Sequence, residues 1–123
     1  MKKKILLIHT GGTIGMVRDE AEGFLRPDRF FENLLAAIPE LSSLAEIETE
    51  IPFVFDSAEL NFAHWQKLAA IIQARAGSVD GVVILHGTDT LAYTASALSY
   101  MLANPPLPVV LTGAQKPLAD LRT

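Results

Sequence analysis

Hydroxyl, carboxylate and glycine residues follow four short apolar runs in this sequence. They occupy residues 10–15, 56–57, 87–89 and 112–116. A threonine or serine hydroxyl becomes a nucleophile when a neighbouring base activates it, and a carboxylate binds a cationic amino group. Glycines let backbone amides approach a ligand and donate to an oxyanion. These residue types at these places favour a site for a small molecule.

Each of these groups also has a structural interpretation, and the residues alone leave both open. The first turn lacks the lysine of a phosphate-binding loop and the glycine spacing of a dinucleotide-binding loop, so Thr13 lies either in a tight turn or in a site. Thr88 and Asp89 follow an apolar run and precede a helical pattern, where they either cap a helix or bind a ligand. Asp56 and Ser57 either form a turn or hold a carboxylate.

Composition and charge exclude several other classes of function. The net charge of −4 argues against a nucleic-acid partner, because phosphate binding needs a clustered positive field. The absence of cysteine excludes disulfides, zinc thiolate sites and cysteine nucleophiles. His9, His64 and His86 have no metal-ligand spacing and are predicted to be structural. No secretory signal and no apolar run near the roughly 18 residues of a membrane span are visible. A soluble cytoplasmic protein without a membrane partner is therefore expected.

The elements that position these residues alternate along the chain. Short apolar runs predict buried strands, and apolar residues at helical spacing predict helices. The predicted strands are residues 5–8, 47–55, 81–85 and 108–111. The predicted helices are residues 30–38, a short turn within 39–45, a helix between the N-cap Asn61 and Gly77, and residues 91–102. Trp65, Tyr93 and Tyr100 fall in these helices and are predicted to be packing residues.

Strands that alternate with helices form a parallel sheet covered on both faces. We therefore predict one α/β domain, a three-layer αβα fold with a mostly parallel sheet of the flavodoxin- or Rossmann-like kind. In such sheets, ligands bind beyond the carboxyl ends of the strands, which is where all four polar groups lie. The polar and irregular residues 16–29 are long for a loop and are predicted to form a lid.

Three segments of this chain resemble the motifs of bacterial L-asparaginases. They are residues 10–15 (TGGTIG), the pair at 56–57 and residues 86–90 (HGTDT). Residues 93–99 and 112–122 are similar to the cytoplasmic type I branch in particular. The resemblance covers the whole chain. It implies an amidohydrolase that converts L-asparagine to L-aspartate and ammonia without a metal or organic cofactor, as a homodimer or homotetramer. It also implies that residues 1–123 are an incomplete N-terminal domain.

The resemblance further implies roles for individual residues. Thr13 matches the nucleophile, and Thr88 and Asp89 match a catalytic group that includes a lysine. Asp89 also matches the residue that binds the amino group of the substrate. Ser57, with Asp56 beside it, matches the residue at the α-carboxylate, and backbone amides near Thr88 match an oxyanion hole.

The chain departs from the family pattern at two points. The catalytic lysine is expected beyond position 123, and Lys116 does not match it. The family's lid tyrosine is replaced by Phe24, which has no hydroxyl for a hydrogen bond. Two other functions therefore remain open, an ammonia-supplying subunit of a tRNA-dependent amidotransferase and a non-catalytic module that binds an acidic amino acid. The first motif at residue 10 counts against the subunit, because such subunits carry a further domain before it.

Overall fold

The computed structural model of this chain describes residues 2–12 and 30–116. The strands in these ranges are β1 (Lys3–His9), β2 (Ala45–Glu50), β3 (Gly81–Leu85) and β4 (Val109–Thr112). The helices are α1 (Phe30–Ala37), α2 (Leu41–Leu44), α3 (Phe62–Arg75) and α4 (Leu91–Met101), with a 3-10 turn at Ser57–Glu59. The strands pair in parallel in the order β2-β1-β3-β4. The predicted α/β class and parallel sheet are confirmed.

Side chains of the two central strands alternate between the two faces of the sheet. On one face, residues of β1 and β3 pack against α3 and α4, and the larger members of this core are Leu6, Ile8, Val82, Ile84, Leu68, Ile72 and Leu98. On the other face, Leu7 and Leu85 pack against Leu34 of α1. Burying one such side chain contributes about 1.5–3 kcal/mol, so both faces stabilise the sheet. Helices therefore cover both faces, as the three-layer prediction requires.

The second strand differs from its prediction. The alternation over residues 47–55 predicted a strand as far as Phe55, but β2 ends at Glu50. Its last pairing is between Glu50 and Ile8 of β1, and Pro52 has no N–H with which to extend the ladder. The Phe55 amide instead donates to the Thr10 carbonyl at 3.0 Å. The carboxyl half of this strand prediction was wrong, because the segment turns to cross the end of β1.

The predicted N-cap of the third helix is confirmed. Asn61 Oδ1 accepts a hydrogen bond from the backbone N–H of Ala63 at 2.9 Å. The backbone N–H of Asn61 donates to His64 Nδ1 at 3.0 Å. These reciprocal bonds satisfy amide groups that have no partner inside the helix. The remaining predicted helices and strands agree with the structure to within a few residues, and the proposed lid at 16–29 lies outside the described residues.

The aromatic residues of the helices differ in their burial. Trp65 is partly buried, but Tyr93 and Tyr100 of α4 expose 66% and 88% of their surface. The prediction that both tyrosines are packing residues was wrong, because they lie on the side of α4 that faces away from the sheet core. None of the helices in the described part of the chain has the length and apolar character that a membrane crossing requires.

Candidate active site at the carboxyl edge of the sheet

β1 is the point at which the strand order of the sheet changes direction. β2 lies on one side of β1, whereas β3 and then β4 lie on the other. The helices that follow β1 and β3 pack on opposite faces of the sheet. Residues 10–12 and 86–89 lie at the carboxyl ends of these two strands, which is the usual ligand site of open α/β sheets.

Thr10 connects the two central strands through hydrogen bonds. Its hydroxyl donates to the Leu85 carbonyl at 2.8 Å, and its amide donates to the same oxygen at 3.1 Å. Its own carbonyl accepts the Phe55 amide at 3.0 Å. The side chain is almost fully buried, and its single proton is already committed. Thr10 is therefore a structural residue of the site and does not serve as a nucleophile.

Glycines allow three segments to meet closely at this edge. Gly11 and Gly12 have φ angles of +119° and +85°, a region that side chains rarely adopt. A Cβ atom at Gly12 would lie 2.7 Å from the backbone of Gly87, and one at Gly87 would lie 2.8 Å from Ser57 Cβ. The contacts between the three segments therefore depend on the absence of side chains at these glycines.

Ser57 is buried beside the turn that follows β3. Its hydroxyl oxygen accepts the Thr90 amide at 3.2 Å, and its carbonyl accepts the Thr90 hydroxyl at 2.7 Å. Neither contact uses the proton of the Ser57 hydroxyl, which can still donate to an anion. Asp56 accepts the Ala58 amide at 3.1 Å, so one of its oxygens caps the 3-10 turn. Asp56 therefore forms a turn, whereas the hydroxyl proton of Ser57 remains available to donate a hydrogen bond.

Thr88 and Asp89 are exposed and do not cap α4. The N-cap of that helix is Thr90, whose side chain makes no capping bond, so the helix-cap interpretation of Thr88 and Asp89 is wrong. Thr88 Oγ1 accepts a hydrogen bond from Gln115 Nε2 at 2.9 Å. Within residues 2–12 and 30–116, the Asp89 carboxylate makes no hydrogen bond or ion pair. As far as these described residues go, it is available to bind a cationic group.

The backbone amides of Thr88 and Asp89 also have no acceptor within the described ranges. They immediately precede α4, whose N-terminal dipole favours negative charge. Two free amides at this position can donate to an oxyanion that forms during a reaction. The edge therefore presents a carboxylate for a cation, a serine hydroxyl for an anion, and amides for a developing negative charge.

The three histidines take different places around this edge. Burial lowers the pKa of His9 to about 4, and burial also lowers the pKa of His86, against the opposing effect of its hydrogen bond to the Gly87 carbonyl. His64 packs edge-on against Phe53 and Phe55. Among the residues that the structure describes, no three His, Asp or Glu side chains are grouped as metal ligands would be.

Several residues around the site were not predicted from the sequence. Thr90 holds Ser57, and Gln115 contacts Thr88. Trp65 contacts Thr94, which in turn contacts His86, so a chain of polar contacts crosses two helices. Thr90, Thr94 and Gln115 lie in segments that resemble the family, but no role was predicted for them from the sequence. Thr13 and Phe24 lie outside the described residues.

Residues 4–123 match the family model described as "Asparaginase, N-terminal". The chain belongs to the asparaginase family. It is 45% identical over 125 residues to L-asparaginase 1 of Escherichia coli (strain K12), and the match covers 99% of this chain and 37% of that protein. The crystal structure of L-asparaginase I from Vibrio cholerae superposes with a TM-score of 0.83 at 43% identity, over 99% of this chain and 37% of that one.

A second kind of relative shares this similarity. A glutamyl-tRNA(Gln) amidotransferase subunit of Methanosphaera stadtmanae is 41% identical over 116 residues, which cover 94% of this chain and 26% of that protein. The chain thus spans well under half of the length of each of these relatives. The resemblance to the asparaginase family that the motifs predicted is confirmed.

Proposed function

We propose that this chain is the N-terminal part of an amidohydrolase that converts L-asparagine to L-aspartate and ammonia. The observation that carries the proposal is the contact of Ser57 with Gly87 and Thr90, the residues that flank Thr88 and Asp89, in a chain of the asparaginase family. We further propose a cytoplasmic homodimer or homotetramer that acts on a small molecule, without a metal or organic cofactor and without a nucleic-acid or membrane partner. Sedimentation velocity tests the assembly.

The free groups of the site complement the charges of L-asparagine. The exposed Asp89 carboxylate suits the ammonium group of the substrate, and the unused hydroxyl proton of Ser57 suits its α-carboxylate. Hydrogen bonds to charged groups contribute about 1.5–3 kcal/mol each. Both charged groups are attached to the α-carbon, so these contacts hold one end of the substrate and leave its side-chain amide available for reaction.

Thr13 is the proposed nucleophile, on the strength of the family motif. Its hydroxyl oxygen bonds to the amide carbon of the substrate, and a base takes the hydroxyl proton. The amide oxygen becomes an oxyanion, which the Thr88 and Asp89 amides stabilise. When the oxyanion collapses, the C–N bond breaks and ammonia leaves with the proton. Water then hydrolyses the ester on Thr13, which releases aspartate and restores the hydroxyl.

The proposal is tested by ammonia release from L-asparagine by the wild-type protein and by Thr13→Ala and Thr13→Ser. We expect Thr13→Ala to lower kcat at least about 1000-fold, because the nucleophile is lost. Thr13→Ser keeps a hydroxyl and retains measurable turnover. Equal rates in wild type and Thr13→Ala would contradict the proposal. If calorimetry finds aspartate binding without any turnover, the chain is instead a module that binds an acidic amino acid.

A second candidate is an ammonia-supplying subunit of a tRNA-dependent amidotransferase. The observation in its favour is the 41% identity to the amidotransferase subunit of Methanosphaera stadtmanae. Its test is co-purification with a partner protein and tRNA, followed by a comparison of ammonia transfer with ammonia release. Release that is independent of any partner favours the asparaginase proposal.

A further inference from the structure

A chain of three hydrogen bonds runs from α3 to the turn that follows β3. Trp65 Nε1 of α3 donates to Thr94 Oγ1 of α4 at 2.9 Å. Thr94 Oγ1 contacts His86 Nε2 at 2.8 Å, and His86 Nδ1 contacts the Gly87 carbonyl at 2.6 Å. His86 and Thr94 are both fully buried. The chain of bonds therefore connects the core of the helical layer directly to the candidate site.

The direction of each bond follows from the groups at its two ends. A carbonyl oxygen only accepts, so His86 Nδ1 must carry the proton that it shares with Gly87. In the neutral ring Nε2 is then an acceptor, so the Thr94 hydroxyl accepts from the Trp65 indole N–H and donates its own proton to His86 Nε2. The neutral Nδ1–H tautomer satisfies both contacts of the ring. The opposite tautomer would turn a lone pair toward the Gly87 carbonyl and would lose that bond.

This tautomer sets the orientation of the peptide unit that joins Gly87 to Thr88. The peptide is planar and trans, so its carbonyl and its N–H point in opposite directions. The carbonyl of this unit is held by the buried His86 ring. The Thr88 N–H therefore points away from the ring. It has no acceptor within residues 2–12 and 30–116.

We propose that His86 is a positioning residue whose Nδ1–H, donated to the Gly87 carbonyl from a ring that also contacts Thr94, aims the Thr88 N–H at the oxygen that becomes negative during amide hydrolysis. The inference rests on the proposed function and adds a role for His86 that the resemblance does not supply. An oxyanion donor must lie about 2.7–3.1 Å from the position of the oxyanion. Rotation of this one peptide plane removes the donor, and the buried hydrogen-bond chain prevents that rotation.

Two substitutions at His86 separate its two contacts. In His86→Asn the amide nitrogen is attached to Cγ, as Nδ1 is, so it can still donate to Gly87 but cannot reach Thr94. In His86→Gln the amide extends to the place of Nε2, so it can reach Thr94 but not Gly87. The two variants both replace a buried imidazole with a neutral amide, and each serves as the control for the other.

We expect His86→Asn to keep kcat for L-asparagine within about threefold of wild type, because the Gly87 contact remains. We expect His86→Gln to lower kcat about tenfold or more with KM changed less than about twofold, because one oxyanion donor is misaligned. Equal kcat values in two folded variants, or a faster His86→Gln, would overturn the inference.

Nuclear magnetic resonance tests the inference without turnover. Nitrogen-15 shifts of the wild-type chain should show a protonated Nδ1 and an unprotonated Nε2 at His86, and Thr94→Ser should preserve this pattern. In a titration with L-aspartate, the Thr88 amide resonance should move in wild type and His86→Asn but not in His86→Gln. A protonated Nε2 in wild type overturns the inference. A protonated Nδ1 in a wild-type protein that hydrolyses no L-asparagine contradicts the proposed function instead.

Discussion

At the scale of single residues, the backbone of Gly11 is the most constrained feature of the site. Its φ angle is +119°, and a Cβ atom there would overlap the Phe55 carbonyl oxygen. We expect Gly11→Ala to destabilise the protein by about 1–3 kcal/mol from backbone strain alone. The overlap with Phe55 adds to this loss, because backbone atoms cannot move aside as a flexible side chain can. Urea denaturation measures the difference.

Gly77 provides the matched control for this substitution. A Cβ atom at Gly77 meets nothing within 4 Å. Gly77→Ala is therefore expected to be neutral or to stabilise the protein by about 0.4–1 kcal/mol, through the reduced entropy of the unfolded chain. If both alanine variants unfold at the same urea concentration, the turn at Gly11 relaxes freely and the strained contact is not required.

The sequence predicted some residues at this edge of the sheet and not others. Ser57, Thr88 and Asp89 were predicted because polar side chains that follow the strands of a parallel sheet lie at its carboxyl edge. Trp65 and Thr94 were not, because the contacts that link them to His86 depend on the rotation of α3 and α4 about their axes. Hydrophobic periodicity gives a helix its buried face but does not specify which polar atoms meet within that face.

At the scale of secondary-structure elements, the N-cap of α3 leads to a testable prediction. Asn61 caps this helix, and the helix carries Trp65 into contact with Thr94. We expect Asn61→Ala to lower the free energy of unfolding by about 1 kcal/mol, because the Ala63 amide loses its acceptor. Asn61→Asp keeps an acceptor oxygen and should unfold close to wild type in urea. An equal loss in both variants would show that the cap bond contributes nothing.

The edge strand β2 shows why element boundaries resist prediction. Its glutamates alternate along one face, and Arg75 of α3 forms ion pairs with Glu48 and Glu50, while Lys4 pairs with Glu48. The hydrogen bond from Arg75 is the main reason that the pKa of Glu48 lies below its usual value. Charged side chains also discourage further strands from pairing at an edge. β2 ends where its pairing with β1 ends. The end of that pairing cannot be predicted from the sequence of β2 alone.

At the scale of the whole molecule, the site depends on the packing of both helical layers. The reversal at β1 places the ends of β1 and β3 side by side, and the segment before Ser57 closes over them through Thr10 and Gly87. Alternating buried strands and helices were enough to predict this architecture. The order of the strands was not predictable from periodicity, since each crossover can place the next strand on either side.

Two buried histidines at this edge make the stability of the whole fold depend on pH. The pKa of His9 falls from an ordinary value of 6.5 to about 4 in the folded chain, and burial also lowers the pKa of His86. The unfolded chain binds protons at these residues at a pH where the folded chain does not. Protonation therefore favours unfolding, so their stabilising contribution is complete above pH 6.5 and is lost as the pH falls through the folded values.

The expected loss is measurable in a range where Glu48 contributes little. At about 1.4 kcal/mol per pH unit, His9 alone removes about 2 kcal/mol of stability between about pH 6.5 and pH 5. The lowered pKa of Glu48 acts mainly below its ordinary value of 4.5, so most of the loss in this range comes from the histidines. Urea unfolding at the two pH values should show the loss in wild type and a smaller loss in His9→Gln, whose side chain cannot be protonated. An unchanged pH dependence in a folded His9→Gln would mean that His9 is already open to water, and the tight closure of the β1 end would have to be abandoned.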